Sequence, residues 1–293
     1  MTGGHRARAT RPPSDRDLDD LVRRALAEDV GSGDVTTRCT VPPDRRARGA
    51  VLARAPLVVA GVEVARRVFE LVDPAVVVEP ALTDGDAAAE GDVVLRLEGP
   101  AAAILTGERT ALNFLGHLCG VATLTRAYVE AVGDLPTRVI DTRKTTPGLR
   151  ALEKAAVRAG GGANHRMGLY DMVLIKENHI AAAGGIEAAL AAVRERDPGV
   201  PVEIEVRDLD ELDRVLAAGG AERVMLDNMD LASLREAVAR CRARPDGGPR
   251  LEASGGITLA TVRAVAETGV DFVSVGALTH SAPAADLTLL IDP

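Results

Sequence analysis

Beyond residue 136 the chain repeats one pattern, and no other feature limits the fold as tightly. Short apolar runs, "TRVIDTR", "DMVLIKEN", "VEIEVRD", "RVMLDNM", "RLEASGG" and "DFVSVGA", alternate with helical segments. These segments are "PGLRALEKAAVRAG", "GGIEAALAAVRERD", "LDELDRVLAAGG", "DLASLREAVARCRA" and "ITLATVRAVAETG". A strand followed by a helix, repeated, builds a parallel sheet with right-handed crossovers. The runs read as continuously apolar, as strands do when both faces of a sheet are covered. Six units are visible rather than eight. An open doubly wound sheet is the rival, but no G-x-G-x-x-G follows the first strand. The expected fold is therefore α/β, an incomplete (β/α) barrel.

The region before it is organised differently. Residues 15–29 space Leu18, Leu21, Val22 and Leu26 as one helix face, with Ser14 placed to cap it. "VGSGDVTTRCTVPP" reads as a loop. From 48 to 98, Val-rich runs alternate with turns such as Asp84-Gly85 and Glu90-Gly91, interrupted by an amphipathic segment at 62–72. That pattern predicts a small α/β domain with a mostly antiparallel sheet. A long helix is expected over 100–132.

Charge and composition exclude several classes. The net charge of −8 tells against a nucleic-acid surface. No apolar run approaches the ~20 residues of a membrane span. The opening "MTGGHRARATRPPS" lacks the apolar segment of a secretory signal and reads as a polar tail. Cys39, Cys119 and Cys241 are far apart and odd in number, which predicts reduced thiols in a cytoplasmic protein. Of 35 basic residues only three are lysines, Lys144, Lys154 and Lys176, all in one short stretch. Where arginine is the default, a retained lysine points to a requirement for a compact ammonium. Lys154 is the expected exception, a helix-surface residue.

Functional groups of a β/α barrel gather at the C-terminal strand ends. Those ends read Thr142-Arg143-Lys144, then Lys176-Glu177-Asn178-His179, Glu205, Asp227-Asn228, Ser254-Gly255-Gly256 and Gly276. An unpaired charge directly after "MVLI" or between Ile204 and Val206 costs several kcal/mol by rough estimate, so a bland solvated rim is a poor explanation. Residues 137–176 hold eight basic side chains against three acidic ones. Within them "GGGANHRMG" joins two cationic ends and brings His165 and Arg166; His165 is a ligand contact or a capping histidine. Glu205 and Asp227 suit sugar hydroxyls, Mg²⁺ carried by substrate phosphates, or ion pairs with the neighbouring cations. "ASGGIT", opening a helix after a late strand, suits phosphate. The ligand so described has carboxylates at one side, a polyol or metal in the middle and phosphate at the other.

These segments, with "EDVGSGDVTT", "GERTALNFLGHLCGVAT", "MLDNM", "EASGGI" and "VDFVSVGALTHSAP", resemble the quinolinate phosphoribosyltransferase family from about residue 14 onward. The resemblance implies a sandwich-like N-terminal α/β domain (14–112) after a tail (1–13), a barrel domain (113–280) and a C-terminal segment (281–293) that rejoins the first domain. It implies transfer of phosphoribose from phosphoribosyl pyrophosphate to quinolinate, with CO₂ loss and Mg²⁺ but no organic cofactor, in a homodimer or larger assembly with shared sites. On that resemblance Arg109, Arg143, His165, Arg166 and Lys176 bind quinolinate. Lys144, Glu205, Asp227, Ser254, Gly255, Gly256, Gly276 and His280 surround the donor and the metal, which Glu205 and Asp227 face, and Thr142, Val275 and Ala277 are further substrate-binding candidates. Lys144, Lys176, Glu205 and Asp227 are the catalytic candidates. A relative acting on another pyridine carboxylate, a Schiff-base aldolase using Lys176 and a non-enzymatic sensor of phosphorylated ligands are the rivals.

Overall fold

The computed structural model describes residues 15–292; the tail 1–13 and the proposed Ser14 cap lie outside them. In chain order the described elements begin α1 (Asp15–Val30), α2 (Val35–Thr40), β1 (Arg46–Ala53), β2 (Leu57–Val58), α3 (Val62–Val72), β3 (Val77–Pro80), β4 (Ala87–Ala88), β5 (Val93–Pro100) and α4 (Ala101–Val132). There follow β6 (Arg138–Ile140), α5 (Arg150–Ala159), β7 (Val173–Ile175), α6 (Glu177–Ala183), α7 (Ile186–Arg196), β8 (Val202–Val206) and α8 (Leu209–Ala218). The chain ends with β9 (Arg223–Asp227), α9 (Leu231–Arg242), β10 (Arg250–Ser254), α10 (Val262–Ala266), β11 (Phe272–Ser274), α11 (Ala277–His280) and β12 (Leu287–Asp292). Two compact units result. One takes the chain to Arg126, Thr145–Gly161 and the segment from Leu278; the other is Ala127–Lys144 with Gly162–Ala277. These divisions run differently from the sequence boundaries at 112/113 and 280/281.

In the first unit a four-stranded sheet has the order β12-β1-β5-β3, with every pairing antiparallel. The C-terminal strand closes one edge, with Ala50 opposite Leu290. Its approach explains glycines inside α4: a Cβ on Gly120 would meet the Pro283 carbonyl oxygen at 2.0 Å, and Ala285 N–H donates to Gly116 O at 2.8 Å. The segment around Asp34, expected as a loop, forms α2 instead. Asp34 caps it, accepting from Thr37 N–H at 2.9 Å and from the Thr37 hydroxyl. This local signal overrides the low helix propensity of a β-branched run.

Within α5, Glu153 and Lys154 are fully buried. Glu153 receives Thr146 N–H at 3.1 Å and bonds His117 Nε2 at 2.8 Å, so it anchors the turn after "RKTT". Lys154 is thus not the helix-surface residue the sequence led us to expect. An amphipathic pattern gives a helix its faces, but a buried lysine on the inner face looks the same in sequence as an exposed one at its margin.

The second unit holds a six-stranded parallel sheet of order β6-β11-β10-β9-β8-β7. The last strand returns to pair with the first, while β6 and β7 do not pair. That is the cyclic order of a barrel with one seam left open. In the seam, Ala163 N–H donates to Val139 O at 2.9 Å and Asp141 N–H donates to Ala163 O at 3.2 Å, so the glycine-rich loop occupies the β6 edge.

The strands are not uniformly apolar as their composition suggested. Cross-strand register places Val202, Ile204, Val206, Val224, Leu226, Leu251, Ala253 and Val273 on one face, and all are buried. The opposite face brings together Glu203, Glu205, Arg223, Met225, Asp227, Glu252, Ser254 and Phe272. Strict alternation therefore separates an apolar outer layer from a charged interior.

Because Lys154 is fully buried, the wider guanidinium of Lys154→Arg must be overpacked into its pocket. It should destabilise the protein by about 1–3 kcal/mol, read as a lower Tm by calorimetry. An unchanged Tm would return Lys154 to the surface.

Candidate active site

The strand ends of the second unit supply the site. Asp141, directly after β6, is fully buried, a charge in an apolar setting that holds only because it is saturated. Its Oδ1 accepts His165 N–H at 2.9 Å and its Oδ2 accepts the Asn164 amide at 2.6 Å. It thereby ties the glycine-rich loop to the strand. Immediately after it, Thr142 Oγ1 accepts Lys144 N–H at 3.0 Å, and Arg143 and Lys144 are exposed.

Arg166 is buried, and its Nη1 donates to Met172 O at 3.1 Å. Asp171 folds the rest of the loop by accepting Met167 N–H at 2.6 Å and Gly168 N–H at 2.9 Å. Burial, and next the like charge of Arg143, push the Arg166 guanidinium below its ordinary value. Two cations are held close, in a body that is otherwise acidic.

Lys176 stands at the end of β7, where it caps α6 and forms an ion pair with Glu205 at the end of β8. On β9, Asp227 lies opposite Ser254 in register and accepts the Asn228 amide at 2.7 Å. Asn228 adopts a left-handed φ of 55°, and its N–H donates to Ser254 O at 2.8 Å. A Cβ on Gly255, whose φ is 97°, would lie 2.1 Å from Asn228 Oδ1, so only glycine fits there. Gly256 follows with φ 60°. Val275 is buried, its N–H donating to Ile140 O at 2.9 Å, ahead of Gly276 and Ala277.

The second unit thus brings together Thr142, Arg143, Lys144, His165, Arg166, Lys176, Glu205, Asp227, Ser254, Gly255, Gly256, Val275, Gly276 and Ala277. Arg109, exposed on α4, and His280, bonded through Nδ1 to Ser281 Oγ at 2.6 Å, belong to the first unit.

Beneath the cationic ends sits a group the sequence reading passed over. Glu203 and Glu252 are fully buried on the interior strand face. His165 Nε2 lies 2.9 Å from Glu203 Oε2 and 3.5 Å from Glu252 Oε2. Arg223 Nη1 donates to Glu252 Oε2 at 3.0 Å while its guanidinium stacks 4.0 Å from the Phe272 ring centre. Burial raises the Glu203 carboxyl. Burial and then the neighbouring Glu203 charge push Glu252 up to about 7, against the pull of His165 and Arg223. The signal was present in "VEIEV", "RVMLD" and "RLEAS", where period two puts Glu203, Arg223 and Glu252 on the face of Glu205, Asp227 and Ser254.

Comparison with known proteins agrees with this architecture throughout. The profile described as "Quinolinate phosphoribosyl transferase, C-terminal domain" matches residues 121–290, and the corresponding N-terminal domain profile matches 34–119. The chain belongs to the quinolinate phosphoribosyltransferase family. A nicotinate-nucleotide pyrophosphorylase [carboxylating] of Mycobacterium leprae is 45% identical over 273 residues, covering 92% of this chain and 95% of that protein. The Arabidopsis thaliana protein of that name, described as chloroplastic, is 43% identical over 100% of this chain and 88% of its own length. A solved nicotinate-nucleotide pyrophosphorylase from Francisella tularensis superposes with a TM-score of 0.91 at 37% identity, covering 98% of this chain and 100% of that one.

In this quinolinate phosphoribosyltransferase family member the Glu252 carboxyl binds its proton more tightly folded than unfolded. The stability this contributes is complete below the acid's unfolded pKa of about 4.3 and is lost as pH rises through about 7. Between pH 6 and 8.5 the wild type should therefore lose more Tm than Glu252→Gln, whose neutral amide has no proton to release. Parallel melting-temperature profiles would show that Glu252 is not the buried acid.

Proposed function

We propose that this enzyme transfers phosphoribose from phosphoribosyl pyrophosphate to the nitrogen of quinolinate and releases CO₂, giving nicotinate mononucleotide and pyrophosphate in de novo NAD synthesis. Family membership supports the reaction. The observation that carries it onto these residues is the packing of Arg166 against the charge of Arg143, on a rim that also holds the Lys176–Glu205 pair. A ligand with two adjacent carboxylates relieves that repulsion, and each charge-assisted hydrogen bond contributes about 1.5–3 kcal/mol.

In this reading Arg143 and Arg166 fork onto the two carboxylates, aided by Lys176 and by Arg109. The ring nitrogen attacks the anomeric carbon as the C–O bond to pyrophosphate breaks, the electron pair leaving with pyrophosphate. Lys144 meets the developing negative charge, and Glu205 or Asp227 faces the positive charge growing on the ribose. Ser254, Gly255 and Gly256 offer an open backbone to the donor's phosphate, together with Thr142, Val275, Gly276 and Ala277, and His280 is assigned to the donor on the family resemblance alone. The ring, now a pyridinium, takes up the electron pair of the bond broken as CO₂ leaves, and a proton replaces the lost group.

Mg²⁺ accompanies the donor in this proposal. Glu205 and Asp227 share one face of adjacent strands, Asp227 two residues beyond the Glu205 partner Met225. They are hard oxygen donors suited to a cation that keeps water and phosphate ligands. When bound, the ion would neutralise charge on the leaving pyrophosphate. Cytoplasmic residence is inferred from the three free, separated cysteines. No described helix is long and apolar enough to cross a membrane.

Purified enzyme should release CO₂ from quinolinate only when phosphoribosyl pyrophosphate is added. Nicotinate, which leaves a buried cation unpaired, should be used far less well. Comparable kcat/KM for the two acids would overturn the assignment.

We further propose, on the family resemblance, a two-fold dimer with Arg109 supplied in trans. Arg109→Ala and Arg143→Ala should each be nearly inactive. A subunit-exchanged mixture should recover about a quarter of wild-type activity, because half the dimers are mixed and each has one intact site of two. A dead mixture with exchange confirmed would place Arg109 in cis.

A further inference from the structure

The glycine-rich loop joins the edge of β6 by backbone bonds as far as Asp141, and there a side chain takes over. Ala163 N–H donates to Val139 O at 2.9 Å and Asp141 N–H donates to Ala163 O at 3.2 Å, the start of a parallel ladder. Carried one rung further, that ladder would bring His165 N–H to the Asp141 backbone carbonyl. The His165 N–H donates instead to the Asp141 carboxylate, to Oδ1 at 2.9 Å, while Oδ2 takes the Asn164 amide at 2.6 Å. A carboxylate reaches farther from the main chain than a carbonyl oxygen does, so the loop leaves the sheet with Asp141 as its spacer. Asp141 is fully buried, and no step of the proposed reaction uses it.

Its place in the chain gives the spacer a consequence. Arg143 follows Asp141 by two residues, and Arg166 follows His165 by one. Arg143 is exposed, whereas Arg166 is buried with its Nη1 held on the Met172 carbonyl at 3.1 Å. The two arginines thus lie on either side of the Asp141 link, and the charge of Arg143 is felt at Arg166. A ladder continued through His165 would draw the two main chains to the ordinary strand separation of about 4.8 Å. The side-chain rung stands them farther apart.

We propose that Asp141 is a specificity-determining positioning residue: its carboxylate, in place of the next ladder rung, sets the loop off from β6 at the spacing that fits Arg143 and Arg166 to two carboxylates on adjacent ring carbons. This rests on the reading that each arginine takes one substrate carboxylate. Asn164 completes the device by holding the second oxygen of the spacer. If the saturated carboxylate served the fold alone, its loss would weaken every ligand of the site by one factor. A spacer instead alters the ratio between ligands that differ only in the separation of their carboxylates.

Competitive inhibition against quinolinate by phthalate and isophthalate, on the full-length enzyme, reads that ratio. Both are benzene dicarboxylates of equal charge; phthalate carries its groups on adjacent carbons, isophthalate on carbons one further apart. Wild type should bind phthalate at least about tenfold tighter, because isophthalate leaves one of the two cations unmatched. Equal Ki values would defeat the two-arginine reading and the spacer with it. Asp141→Ala should bring the two Ki values to within about threefold of each other, by freeing the loop to take other spacings. Asp141→Asn, which keeps an acceptor for His165 N–H, should hold the ratio within about twofold of wild type. Where Asp141→Ala does not fold, Asn164→Ala decides: at this part-exposed residue the loss of one bond should lower the ratio about threefold, with KM for phosphoribosyl pyrophosphate changed by less than about twofold. A wild-type ratio in the deciding variant, including one in which both Ki values rise by the same factor, would overturn the spacer and leave the two-arginine reading standing.

Discussion

Two carboxylates sealed from water inside the six-stranded sheet are the constraint around which the second unit is organised. Burying a charge without a partner costs several kcal/mol, and burying two side by side costs more. Glu203 and Glu252 persist because Arg223 lies against one, His165 against the other, and Glu252 is pushed toward its protonated form. Each of those partners is itself held. Arg223 stacks on Phe272, and His165 hangs from Asp141 by its backbone and from Arg166 by its ring. Removing Glu252 would take from Arg223 the buried carboxylate to which its Nη1 donates.

The electrostatics of the rim follow from this floor. Burial first, and then the like charge of Arg143, weaken the hold of Arg166 on its proton. The negative charge of Glu203 beneath Arg166 and of Glu205 beside Lys176 keeps such a concentration of cations tolerable before a substrate arrives. A site arranged in advance in this way needs little reorganisation as charge moves during the reaction.

The open seam is the other organising element. A closed barrel would pair β6 with the strand that follows it. Here the edge of β6 is met by Ala163 instead, and the loop that makes this contact brings Asn164 and His165 against Asp141. The incomplete closure is thus also the means by which the loop reaches the site.

Much was legible in the sequence because it depends on local chemistry and periodicity. The β–α repeat, the long helix ending at Val132, the helix at 62–72 and the row of charged strand ends each follow from side-chain spacing along a helix or strand. The family motifs, being long and contiguous, were legible for the same reason. The capping of α2 by Asp34 was also local and was available to be read. What only the tertiary structure decided depends on which residues meet across the fold. The alternation "VEIEV" is compatible with a polar face in water or in the interior, and the strand order that wraps Glu203, Arg223 and Glu252 together determines that they face inward. Likewise Lys154 is buried through packing rather than through its position in α5, and His165 lies against acids brought to it from two other strands. Sequence specifies each group's chemistry, while its partner, and hence its charge state and role, is specified by contacts between residues far apart in the chain.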